Sequence, residues 1–250
     1  GRMTLCNLAI DAGARTAIVA PDETAFEWLR GREYAPAAAQ WDEAVAFWRT
    51  LRSDDGAKFD VEVELDARAI EPMYTWGTSQ DEASAASARV PDPADLPDAG
   101  RTRRAHEALE YMALAPGMRL ADIAVDRVFI GSCTNGRLED LRSAAAVVKG
   151  RKAVVPAMVV PGSQDVRKAA EAEGLHRIFT EAGLEWRDPG CSMCVGANGD
   201  KVAAGQRCVS TANRNSAGRQ GRGSRTHLAS PASAAAAAIA GRLADVRDYL

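Results

Sequence analysis

The sequence predicts an α/β fold built on a mostly parallel sheet with helices on both faces. Three observations carry that prediction. In the second half, short apolar runs alternate with amphipathic segments of helix length, the rhythm of β-α-β units. Glycines such as Gly150 and Gly174 stand where the helical segments should stop. The residues with the most chemical potential fall in loops just beyond expected strand ends, where ligands collect in such folds.

Taken in order, Thr4 is placed to cap a short helix running through Ala12 and stopped by Gly13. Residues 16–20 form an apolar run and read as a buried strand. Asp22 caps a helix to about Arg30, ended by Gly31. Trp41, Val45, Trp48 and Leu51 recur at helical spacing and predict an amphipathic helix over 41–51. Phe59, Val61, Val63 and Leu65 alternate with acidic residues, the pattern of a half-exposed strand. Residues 82–100 are rich in Ala, Ser, Asp and Pro and read as a surface linker. That divides the chain into 1–85, the remainder of an α/β domain, 86–125, a linker and helix, and 126–250, a second α/β domain.

The second half is clearer. Residues 127–130 are a strand, followed by a loop holding Cys133 and a helix over 138–149. Residues 154–160 are a strand closed by Pro161 and Gly162, and Ser163 caps the next helix. Residues 175–182 read as a helix, 184–186 as a short strand, and 207–211 as another strand beyond a loop with Cys191 and Cys194. The alanine-rich run 232–240 reads as a packed helix.

The 250 residues can bury a substantial core, and 46% hydrophobic with 26% charged residues is an ordinary globular composition. A net charge of −3 does not suggest a general nucleic-acid or membrane binder. No apolar run is long enough to span a bilayer, and the first residues lack the layout of a signal peptide. Five cysteines, spaced unlike a disulfide framework, favour a reducing compartment and a cytoplasmic location.

Cys133 sits in Gly-Ser-Cys-Thr-Asn, and Cys191 and Cys194 in Pro-Gly-Cys-Ser-Met-Cys. A Cys-x-x-Cys pair plus one distant cysteine suits a cubane iron–sulfur cluster whose fourth iron lacks a protein ligand. Such an iron acts as a Lewis acid, which points to dehydration and rehydration of a hydroxy acid. Zinc would want a fourth ligand, and His106, His176 and His227 are in no ligand-like spacing. From spacing alone, a cluster and a structural or adventitious set stand at even odds. Cys6 and Cys208 sit among apolar residues and read as inert buried thiols. Residues 211–225, which include Asn213-Arg214-Asn215, hold four arginines and three glycines. Arginine forks grip carboxylates and glycines allow close backbone approach, so a di-acid site is the sharper reading and a solvated basic loop the blander one.

Several strings together resemble the aconitase superfamily. They are Gly-Arg-Met-Thr-Leu-Cys-Asn (1–7), Val-Ala-Pro-Asp-Glu-Thr (19–24), Thr-Trp-Gly-Thr (75–78), Phe-Ile-Gly-Ser-Cys-Thr-Asn-Gly-Arg (129–137), Pro-Gly-Cys-Ser-Met-Cys (189–194) and Asn-Arg-Asn with Gly-Arg-Gln-Gly-Arg (213–222). Within it the chain resembles the large subunits of the 3-isopropylmalate dehydratases of leucine biosynthesis. The resemblance implies an aconitase-like fold and a hydro-lyase isomerising 2- and 3-isopropylmalate. It makes Cys133, Cys191 and Cys194 ligands of a [4Fe-4S] cluster and gives Arg214 and Arg219 the substrate carboxylates. Asn7 and Asn213 match asparagines that hydrogen-bond near the cluster. Asp11 falls where the family has a glutamate; an aspartate is one methylene shorter, and a solvent-facing helix residue is the alternative. The resemblance further implies a small-subunit partner carrying the catalytic base, and that this chain is the carboxyl-terminal part of a longer large subunit. Related acids such as citramalate or homoaconitate, or a non-catalytic cluster-binding fragment, are the competing readings.

Overall fold

In the computed structural model, which describes residues 1–250, the chain divides into two units, Gly1–Ala69 and Ile70–Leu250. The first carries three helices, α1 (Arg2–Leu8), α2 (Glu23–Leu29) and α3 (Ala39–Trp48). Asp22 caps α2 as expected, its carboxylate accepting from the Ala25 N–H at 3.2 Å. The predicted tryptophan face of α3 is also present: Trp41 meets Trp48 edge-on at 5.7 Å, and Phe26 stacks on Trp48 at 5.8 Å. Three expectations fail. Helix α1 starts at Arg2, so Thr4 lies inside it instead of capping it. Residues 16–20 and 59–65 form no strand, and Ile18 is 87% exposed. An apolar alternation can only become a strand where another strand takes its N–H and C=O groups, and the first unit has none.

The second unit opens with an antiparallel pair, β1 (Met73–Thr75) and β2 (Ala83–Ala85), and then α4 (Ala99–Met112) capped by Asp98. The segment read as a linker therefore contains β2, a turn of 3₁₀ helix at Pro93–Asp95 and the start of α4, and the two units divide at Ala69. Next come β3 (Arg127–Ile130), α5 (Leu138–Val148), β4 (Ala157–Val159), α6 (Gln164–Ala172), α7 (Leu175–Glu181), β5 (Glu185–Trp186), β6 (Arg207–Ser210), β7 (Arg225–Leu228) and α8 (Pro231–Ala240). Ser163 caps α6 by accepting from Val166 N at 3.2 Å. Strand β4 starts later than the apolar run because Pro156 has no N–H to give the ladder.

Strands β3 to β7 form one sheet in the order β5-β4-β3-β6-β7, every pair parallel. The α/β class holds. Val128, Ile130, Ala157, Val159 and Val209 face one way and join a large core with α4, α5, α7 and α8. Their alternates Phe129, Met158, Val160 and Cys208 face the other way into a small cluster with Met193 and Val202, which includes no residue of an α-helix. Each fully buried Val or Ile contributes roughly 1.5–3 kcal/mol. Fully buried Ala234–Ala238 keep α8 thin enough to pack closely on α5. Strand β1 is tied in from far along the chain: the Tyr74 hydroxyl lies 3.0 Å from Ser233 O and 2.8 Å from Ala244 O.

Candidate functional site

The strand order locates the site. From β3 the chain builds outward through β4 to β5, then returns to the far side of β3 for β6 and β7. The order therefore reverses between β3 and β6, and the crevice at their carboxyl ends is where open parallel sheets hold ligands. The loop after β3 carries Cys133, and the loop after β6 carries Asn213, Arg214 and Arg219.

Side-chain bonds sew these two loops together. The Thr211 hydroxyl accepts from Gly131 N and donates to Gly131 O, both at 2.7 Å. Asn135 Nδ2 donates to Thr211 O at 2.7 Å and to Asn213 Oδ1 at 3.1 Å, and the Thr134 hydroxyl also donates to Asn213 Oδ1. Gln80 reaches across from β1–β2 to Asn213 O at 3.1 Å. The Cys133 loop turns tightly. Ser132 holds a φ of +89°, and a Cβ on Gly136 would lie 2.7 Å from Ser132 O, so only glycine fits there. The result leaves Cys133 exposed on a buried base of Ser132 and Thr134.

Cys191 caps and Cys194 ends a single 3₁₀ turn, Ser192–Cys194, in the loop after β5. Met193 plugs this turn into the small cluster on the helix-free face of the sheet, and the Ser192 hydroxyl donates to Asp200 at 2.8 Å. Two residues of the β6–β7 connection complete the fastening. Arg219 Nε donates to Cys194 O at 3.1 Å, and fully buried Gln220 donates to Met193 O at 2.8 Å. Burial pushes the Cys194 thiol up; Arg219 opposes this, while the charges of Cys133 and Cys191 add to it. The Cys194 thiol thus feels the charge of both other cysteines. No three His, Cys, Asp or Glu side chains converge on the coordination shell of a single ion.

Asn213, Arg214, Arg219 and the three cysteines all belong to the second unit. Asn213 is buried and both arginines are half-buried. Asn7 lies half-buried on α1, and Asp11 is exposed just past its end, both in the first unit. Cys208 is fully buried with its thiol pushed up to about 12, an inert group as expected. Sequence reasoning missed Gln80, Thr134, Asn135 and Gln220. Thr134 and Asn135 were visible as the two residues after Cys133, a pair prone to bond neighbouring backbone. Nothing local marks Gln80.

The family model of aconitase (aconitate hydratase) matches residues 1–241. The large subunit of 3-isopropylmalate dehydratase from Anaeromyxobacter dehalogenans (strain 2CP-1 / ATCC BAA-258) is 60% identical over all 250 residues. The match covers 52% of that relative, so the chain spans about half its length.

Proposed function

Because the chain belongs to the aconitase family, we propose that it is part of the large subunit of a hydro-lyase interconverting 2- and 3-isopropylmalate in leucine biosynthesis. The observation that carries this reading is the meeting of the Cys133 loop, the Cys191–Cys194 turn and the Arg219 connection at the reversal of the sheet. The donor set suits a [4Fe-4S] cluster. Each cysteine of a cubane binds its own iron, so three ligands need not crowd one ion's shell. When bound, the cluster supplies a Lewis acid at the iron that no cysteine holds.

The chain's own residues would do the rest of the binding. Arg219, anchored through Nε on Cys194 O, fixes a positive charge beside the cysteine turn. Arg214 follows the immobilised Asn213 and would grip a substrate carboxylate with its fork. Asn213, already engaged by Thr134 and Asn135, would keep that loop in register with Cys133. The family resemblance further proposes Asn7 as a substrate-binding group and Asp11 as a proton or water partner. The base that removes the carbon-bound proton would come from a small-subunit partner. No helix is long and apolar enough to cross a membrane. A cytoplasmic location and no nucleic-acid role belong to the proposal on other grounds, the cysteine usage and the net charge of −3.

Anaerobic reconstitution with iron and sulfide tests the proposal. Cys133→Ser, Cys191→Ser and Cys194→Ser should each lose the cluster's visible absorbance, while Cys6→Ser and Cys208→Ser should keep it. Tightly held zinc in place of iron, or a cluster indifferent to the first three changes, would refute the assignment.

A further inference from the structure

The segment 59–65 has the alternation of an edge strand and no strand to pair with. Phe59, Val61, Val63 and Leu65 are 57–78% exposed. Asp60, Glu62, Glu64 and Asp66, which alternate with them, are exposed too. Residues 58–65 make no backbone hydrogen bond. Drawn out as a strand, a stretch of this composition would have one apolar face, one acidic face and a full row of unused N–H and C=O groups. Such a stretch is an incomplete ladder.

Its charge limits what can complete it. Pairing with a second copy that kept the apolar faces together would set acid opposite acid along the other face, and like charges directly opposite destabilise a pair. The occupant must instead offer an apolar face and neutral or basic side chains across from the four acids. The curated relative carries nearly as much chain outside the matched region as within it. We infer that residues 59–65 add as a strand to a sheet edge in that other half, one lined by neutral or basic residues on its polar face. The inference rests on the reading above only in taking this chain as half of such a large subunit.

The experiment co-expresses this chain with the part of the Anaeromyxobacter dehalogenans large subunit outside the match, as two polypeptides. Amide hydrogen exchange is then followed at residues 59–65. In the chain alone these amides should exchange at near-unprotected rates at every concentration. In the co-expressed pair they should slow on the order of 100-fold or more. Val61→Glu with Val63→Glu should abolish the slowing and weaken association. Both residues are solvent-exposed, so amide protection in the second unit should stay unchanged. Three results would overturn the inference: protection in the chain alone, protection that rises with its own concentration, or failure of the two pieces to associate. Activity reads separately. Protected amides without turnover, small subunit included, would count against the proposed reaction and leave the strand pairing standing. Turnover with these amides unprotected would do the reverse.

Discussion

The two units of this chain have similar raw material and opposite outcomes. Gly1–Ala69 contains Met3, Leu5, Ile10, Ile18, Phe47, Phe59 and Val61, all exposed, and buries only Phe26 and Trp41 among its hydrophobic side chains. Ile70–Leu250 buries the whole of the large core and of the small cluster behind the sheet. Both units have capped helices and both have alternating apolar runs. The difference is that the second supplies each strand with a neighbour, so pairing and burial reinforce each other, while the first has helices without a sheet to lie on.

The sharpest way to break this comparison is to separate the units. Residues 70–250 alone should keep a cooperative thermal transition followed by near-ultraviolet circular dichroism, whereas residues 1–69 alone should show none. A cooperative transition in the short piece would mean that its core has been underestimated.

Single substitutions sharpen it. Leu141 on α5 is fully buried, and Leu141→Ala should cost about 2–5 kcal/mol in denaturant unfolding of the chain. Leu65→Ala, at a side chain 75% exposed, should stay within about 0.5 kcal/mol. Equal effects would erase the distinction.

A pH dependence should also belong to the second unit alone. His227 is fully buried, its Nδ1–H donating to Thr75 O at 2.7 Å and its Nε2 facing Arg207 at 3.3 Å. Burial lowers its pKa from 6.5 to about 4. The unfolded chain therefore takes up this proton first. The ring's contribution is complete above about pH 6.5 and is lost as the pH falls toward 4, on the order of 3 kcal/mol in all. His227→Gln should flatten this part of the stability profile; an unchanged slope would assign it to other groups. The smallest effect should be at a cap. Ser163→Ala should cost about 1 kcal/mol, whereas Asp22→Ala, a cap of the same kind on α2, should leave the cooperative transition unmoved.

How much of this was legible depended on whether the signal was local. Strands β3, β4 and β6 announced themselves because apolar runs end at glycine, proline or polar loops. Strand β7 did not, because its buried members are Thr226 and His227, polar residues held by Gln220 and Thr75. The runs 16–20 and 59–65 have a strand's periodicity, but periodicity reports only that a face could be buried and says nothing of a partner. The site divided likewise. Cys133, Cys191, Cys194, Arg214 and Arg219 stood in recognisable strings. The bonds from Thr134 and Asn135 to Asn213 join residues nearly eighty positions apart, and no window of sequence contains both ends.

The fastening of β1 has a consequence for synthesis. Tyr74 and Thr75 are among the first residues of the second unit to be made, yet their partners His227, Ser233 and Ala244 lie 152 to 170 positions later. At roughly 5–20 residues per second on the ribosome, that separation is a wait of about 8–34 seconds. Through that interval the nascent β1 segment has only β2 to close on, with its tyrosine hydroxyl and the core face around it uncovered, which makes Tyr74 and Trp76 natural contacts for a chaperone until residues 227–244 have emerged.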